Sequence, residues 1–153
     1  MRRQLIDITT RTSAAPGAVY ALLTDGGTWP DWAPIDSLEL EREGAGRREG
    51  IGAVRVLRRG RTEGRDTIVE LVSDRRFSYT HVSKLPVRDY RADVDLEPDG
   101  GGTRIRWRAS FTATVPGMGP LLRVALGRFL RQCAEGLAEY AAGPPERAHA
   151  SEP

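Results

Sequence analysis

Of the 153 residues only Cys133 is a cysteine, so no intrachain disulfide framework can form, and there is no Cys/His cluster to hold structural zinc or another metal. This thiol usage is compatible with a reducing cytoplasm, the expected location. Long apolar runs are missing too. No stretch approaches the roughly 20 residues that cross a bilayer, and the opening MRRQLIDITTRTS turns polar where a signal peptide needs an apolar core. No integral membrane segment is expected. Lysine is nearly absent: Lys84 is the only one among 23 basic residues. The formal net charge is just +2. The pI of about 9.0 therefore reflects an arginine-biased composition, and no nucleic-acid partner is expected. The one dense basic group, RRGRTEGR at Arg58 to Arg65, reads as a solvated hairpin tip. Gly100 to Gly102 follows Asp99 in another hairpin and precedes no helix, so it is a turn and not a phosphate loop. No cofactor is indicated.

What is present is a run of alternating segments closed by one long helix. QLIDITTRT, from Gln4 to Thr12, is β-branched and alternating, as a half-buried strand requires. SAAPGAVYALLTD then carries Pro16 near a helix start, with Val19, Leu22 and Leu23 at helical spacing. TDGGTWPDWAPID places Trp29 and Trp32 in a loop. Six further strands follow: SLELERE, GAVRVLR, RDTIVELVS, FSYTHVS, RDYRADVDLE and TRIRWRASFTA. Turn residues separate them in the manner of an antiparallel meander rather than a βαβ sheet. From Gly117 to Tyr140 an amphipathic helix carries Leu121, Leu122, Ala125, Leu126, Phe129, Leu130, Cys133 and Leu137 on one broad stripe. Cys133 on that stripe reads as a small buried hydrophobe. The order predicts an α+β domain over residues 1–142, in which a seven-stranded antiparallel sheet packs on the final helix. A polar, Pro-rich tail over 143–153, including His149, is expected to be disordered. One domain of this length can bury an adequate core without metals or disulfides.

Hairpin parity predicts which face looks inward. A turn at Asp74-Arg75 sets Val72 against Phe77, Glu70 against Tyr79, Ile68 against His81 and Asp66 against Ser83. The Pro86 turn sets His81 against Tyr90 and Tyr79 against Ala92. The EPDGGG loop sets Leu96 against Thr103, Val94 against Ile105, Ala92 against Trp107 and Tyr90 against Ala109. One face then carries Ile68, Phe77, Tyr79, His81, Tyr90, Trp107 and Phe111, with Asp66 and Glu70 on the same side, while the other is dominated by Arg and Asp. Polar Tyr79, His81, Tyr90 and Asp66 among aromatics suit a ligand pocket, because each would need a hydrogen-bond partner in a plain core. A closed core in which His81 bonds Tyr90 or Asp66 fits the same pattern.

The segments APGAVYALLTDGGTWPDWAP, GIGAVR, DTIVELVSDRRFSYTHV and LPVRDYRADVDLEPDGGGTRIRWRASF, with the closing helix, resemble the polyketide cyclase/dehydrase and lipid-transport branch of the START/Bet v1-like superfamily. The resemblance covers residues 4–140. It implies a helix-grip fold, a curved sheet wrapped around the long C-terminal helix, with a hydrophobic cavity between them. It also implies a hydrophobic small-molecule ligand, either polyketide-like or a lipid. No invariant catalytic residue of the cyclases can be matched here. Two readings follow. In an enzyme, His81 acts as general acid/base for cyclisation or dehydration, Asp66 orients it, and Tyr79 and Tyr90 bond an enolate oxygen. In a non-catalytic carrier or sensor, Trp29, Trp32, Ile68, Phe77, Trp107, Phe111, Leu122, Leu126 and Phe129 simply bury the ligand. Trp29 and Trp32 are expected at the rim as a lid hinged on Gly26 and Gly27, with a core plug as the alternative. A monomer or a homodimer fits equally.

Overall fold

A computed structural model describes residues 2–143; His149 and the expected disordered tail, Gly143 apart, lie outside the described residues. β1 (Arg3–Thr12) leads into α1 (Pro16–Thr24) and a single helical turn, α2 (Trp29–Trp32). Six strands follow: β2 (Ser37–Arg42), β3 (Val54–Arg59), β4 (Thr62–Val72), β5 (Arg76–Ser83), β6 (Val87–Asp99) and β7 (Gly102–Ala113). The long helix α3 (Gly119–Ala142) ends the described chain. All neighbouring strands are antiparallel, in the order β1-β7-β6-β5-β4-β3-β2. The first strand therefore joins the last, and the rest is a meander. This is the helix-grip architecture that the order of elements and the resemblance led us to expect.

Pro16 sits at the first turn of α1, where its missing N–H has no intrahelical partner to lose. Val19 and Leu23 of that helix are fully buried. On α3 the inward stripe of Leu130, Cys133, Ala134 and Leu137 packs with Ile6, Ile8, Ile105 and Trp107 in one hydrophobic cluster, whereas Leu121, expected on that stripe, is 64% exposed. Outside the sheet an Arg/Asp lattice covers the strands, with Asp95 between Arg76 (2.7 Å) and Arg108 (2.6 Å) and Asp7 on Arg106 (2.7 Å).

Two expected registers are corrected. Across the β4–β5 turn, Val72 faces Arg76 and Leu71 faces Phe77; beyond a bulge between Ile68 and Glu70, Ile68 faces Tyr79 and Asp66 faces His81. Asp74 adopts φ +60° in this turn, a left-handed position that the simple two-residue reading omits. Turn and bulge together slide the register by two residues, so Asp66 and Ile68 keep their inward face. Glu70, between them, is turned outward onto Arg91 (2.8 Å) and Arg76 (3.6 Å). Across β6–β7, Asp99 pairs with Gly102 and Val94 with Trp107. Gly100 and Gly101 take φ +57° and +90°, giving a two-residue turn tighter than the loop expected. The inward face is again unchanged.

Close packing of α2 on α3 depends on one glycine. A Cβ at Gly136 would lie 1.9 Å from the carbonyl oxygen of Trp32. In an unencumbered helix Gly→Ala stabilises by about 1 kcal/mol. Here the overlap outweighs that gain, and Gly136→Ala is expected to destabilise by about 1–3 kcal/mol in urea unfolding. A net gain in stability would show that α2 does not rest on α3.

Candidate functional site

The two tryptophans close one end of the space between sheet and helix. Trp29 and Trp32 are 3% and 6% exposed. Their indole N–H groups donate to the Leu23 carbonyl and to the Thr28 hydroxyl, both at 3.1 Å. Their rings lie 4.6 Å apart, and Trp29 also packs on Phe77 (6.2 Å), Tyr79 (6.5 Å) and Trp107 (6.0 Å). The expected mobile lid is thus corrected to a plug. The supposed hinge is held as well: the Gly26 N–H donates to both Glu49 carboxylate oxygens, at 2.9 and 3.0 Å.

Behind the plug lies a residue that strand reading passed over. Arg55 is 1% exposed, pairs with Glu49 at 2.9 Å and donates to the Leu23 carbonyl at 2.9 Å. Its guanidinium stacks over Trp29 (5.3 Å) and Phe77 (5.1 Å). Burial pulls its pKa down and the Glu49 charge pulls it back. The signal was available in parity, since Ala53, Arg55 and Leu57 share a face of β3, but arginine on an inner face was not anticipated.

Beyond Trp29 the sheet and α3 diverge around a cavity of about 380 Å³, within the range of small-molecule sites. Leu122, Ala125, Leu126 and Phe129 supply its helix wall. Asp66, Tyr79, His81 and Tyr90 all line the sheet wall, so the four polar residues singled out from the sequence come together. Ile68, Phe77, Trp107 and Phe111 do not line it; each is at most 1% exposed and packs into the core, as does Trp32. Sequence reading also missed the outer part of the wall. Thr62, Gly64 and Ser83 lie there, with Arg58 and Arg59 of the hairpin that had read as a solvated turn. Stepping by two along β4 from Asp66 would have found Gly64 and Thr62.

His81 Nδ1 lies 2.6 Å from Asp66 Oδ1. With Asp66 as a carboxylate this contact places the proton on Nδ1 and leaves Nε2 as the free nitrogen. The side chains are 20% and 7% exposed. Gly64 provides the space: a Cβ there would lie 2.5 Å from His81 Cε1 and 3.1 Å from Nε2. Tyr79 accepts a hydrogen bond from the Trp107 indole at 3.2 Å and, on the cavity wall, stands beside Tyr90, whose ring stacks 6.1 Å from Phe111. Burial, reinforced by the Asp66 charge, pushes the Tyr79 and Tyr90 phenols and the Cys133 thiol well above their ordinary values. All three therefore stay protonated, and the phenols are available as neutral donors.

The chain belongs to the polyketide cyclase/dehydrase and lipid transport family, whose model matches residues 4–142. Among solved structures it is similar to the Zhui aromatase/cyclase from Streptomyces sp. R1128, at 16% identity and a TM-score of 0.74 over 92% of this chain and 94% of that one. It is also similar to a truncated norcoclaurine synthase from Thalictrum flavum (14% identity, TM-score 0.72, 94% and 96% covered). A START superfamily protein from Mycobacterium smegmatis aligns comparably (14% identity, TM-score 0.73, 94% and 98% covered). At these identities the likeness is one of fold. No curated protein matches the chain by sequence.

Two outcomes are expected from this electrostatic arrangement. Arg55→Ala strands the half-buried Glu49 carboxylate and should cost about 3–5 kcal/mol in urea unfolding, whereas Arg55→Met combined with Glu49→Gln should recover much of that loss; equal losses would show that the pair is not the origin. The raised phenol pKa values set a pH dependence. Below the ordinary tyrosine value of about 10, folded and unfolded chains carry the same phenol protons, so that part of the stability is fully present. Above it the unfolded chain ionises first, and stability falls until the folded phenols titrate. Tyr90→Phe should therefore reduce the slope of alkaline destabilisation, measured by denaturant midpoints at increasing pH, and an unchanged slope would contradict the assignment.

Proposed function

We propose that the cavity is an acid–base active site for a hydrophobic carbonyl compound of polyketide type, catalysing its aldol cyclisation and dehydration. The observation that carries this reading is the Asp66–His81 pair set in an otherwise largely apolar cavity, with the free imidazole nitrogen beside the open Cα of Gly64. His81 Nε2 removes a proton from carbon next to a ketone. The Tyr90 hydroxyl, kept protonated by burial, donates to the enolate oxygen as charge develops there. The enolate carbon then bonds to a second carbonyl carbon of the same molecule, whose oxygen takes the proton from the imidazolium. For dehydration His81 removes a further α-proton and returns it to the departing hydroxyl, which leaves as water. Asp66 is a positioning residue: it holds the ring by Nδ1 and stabilises the imidazolium. The family's description, which spans cyclases, dehydrases and lipid transport, supports a hydrophobic ligand. The aromatase/cyclase name of one structural relative is consistent with the chemistry.

The first half of the reaction can be measured without the natural substrate. Incubated in deuterated water with β-tetralone, a bicyclic ketone, the protein is expected to accelerate loss of the α-protons seen by proton NMR. His81→Gln should lower that rate by about 10²–10⁴-fold while the ketone still quenches tryptophan fluorescence on binding. A wild-type protein that binds the ketone but exchanges no faster than free imidazole would leave a carrier, the other reading compatible with the cavity.

A further inference from the structure

Most arginines on the sheet are matched to a carboxylate. On β3 itself Arg55 pairs with Glu49, and Arg58 pairs with Glu39 (3.2 Å) and Glu63 (3.1 Å). Arg59 is the exception on this strand. Among the described residues it has no carboxylate partner, and its guanidinium lies over the Phe129 ring of α3, 5.4 Å from the centroid. Both Arg59 and Phe129 line the cavity. A ring contact uses none of the guanidinium's N–H donors as a carboxylate pair would, and those donors bind a carboxylate in the plane. The charge also reaches inward, since it opposes the rise in the Cys133 pKa.

Around Arg59 the mouth is polar. Thr62, its direct partner across the hairpin, and Ser83, opposite Gly64, both line the cavity. The Ser83 oxygen accepts the Leu85 N–H at 3.3 Å, so its own O–H is free to donate. The inner end is closed by Trp29 and carries the single negative group, Asp66, already held by His81. A ligand therefore meets one unmatched cation and two hydroxyls at the entrance, with the imidazole against Gly64 on the same sheet wall and the apolar helix wall opposite.

We infer that Arg59, with Thr62 and Ser83, forms an anchor for a carboxylate on the ligand, so that the site selects amphipathic acids with an apolar body and one anionic end. This deepens the proposed function and rests on it for the identity of the cavity as a ligand site. One guanidinium matches a monoanion.

The test is a binding comparison, independent of turnover. Naphthylhexanoic acid and its methyl ester share the apolar body and differ in charge. Isothermal titration at low ionic strength is expected to show the acid binding about fivefold to tenfold more tightly than the ester, with the preference shrinking at high salt. Arg59→Gln should abolish the preference for the acid over the ester, and Arg59→Lys should restore part of it. Equal affinities in the wild type, or a preference that survives Arg59→Gln, would overturn the anchor alone. Failure of both compounds to bind would overturn the cavity reading together with the anchor.

Discussion

Arg55 is the point on which the rest of the architecture depends. A guanidinium 1% exposed is tolerable only because its charge meets Glu49, one N–H meets the Leu23 carbonyl, and its faces meet Trp29 and Phe77. Each of those partners is itself a structural tie. Glu49 clamps the Gly26 amide, Leu23 ends the core face of α1, and Trp29 binds α2 into the aromatic group with Tyr79 and Trp107. Through this one side chain the β2–β3 connection, the first helix and the central strands are fixed to one another. The consequence for function is a boundary: aromatic packing fills the space between sheet and α3 up to Trp29 and stops, and the cavity is what remains.

Within that remainder the placement of polar groups is difficult to explain by stability. A buried, hydrogen-bonded polar pair generally contributes no more than apolar residues of the same shape, because desolvation offsets what the contact gains. Asp66 and His81 occupy cross-strand positions that Leu or Val would fill without penalty, and Gly64 gives up a side chain so that the imidazole can lie flat on the strand. Two phenols with suppressed ionisation stand beside them. A sheet wall of proton donors and acceptors facing a helix wall of Leu122, Leu126 and Phe129 is the division expected where an apolar molecule is held by one side and chemically addressed by the other.

Much of this was legible in the sequence, for identifiable reasons. Side-chain alternation holds from Phe77 to His81 on β5, from Tyr90 to Leu96 on β6 and from Ile105 to Phe111 on β7, so the inward set of Tyr79, His81, Tyr90 and Trp107 followed from parity even though two registers were shifted. Both shifts come to two residues beyond their turns, which preserves faces; only Glu70 and Val72, caught between a turn and a bulge, changed sides, Val72 ending 45% exposed opposite Arg76. Bulges leave no mark in a hydrophobic pattern, and a left-handed Asp74 is not announced as a glycine would be. The tryptophan loop was misjudged because Gly and Pro around aromatics signal a turn in either a lid or a plug. What distinguishes the two is Glu49 reaching back 23 residues to Gly26, a contact that no local pattern carries. Arg55 and Arg59 were hidden by composition: in a chain where arginine is the common basic residue, two that turn inward look like the many that do not.

The central claim is that His81 presents an unprotonated Nε2 to the cavity because Asp66 holds the proton on Nδ1. Nitrogen NMR of the imidazole tests this directly, with His81→Gln used to assign the signal. At a pH where the ring is neutral, the account predicts a pyrrole-type Nδ1, strongly hydrogen-bonded, and a pyridine-type Nε2 that shifts when a ketone is added. A protonated Nε2 paired with a bare Nδ1 would contradict it, since His81 would then point a donor at the substrate and have no base to offer.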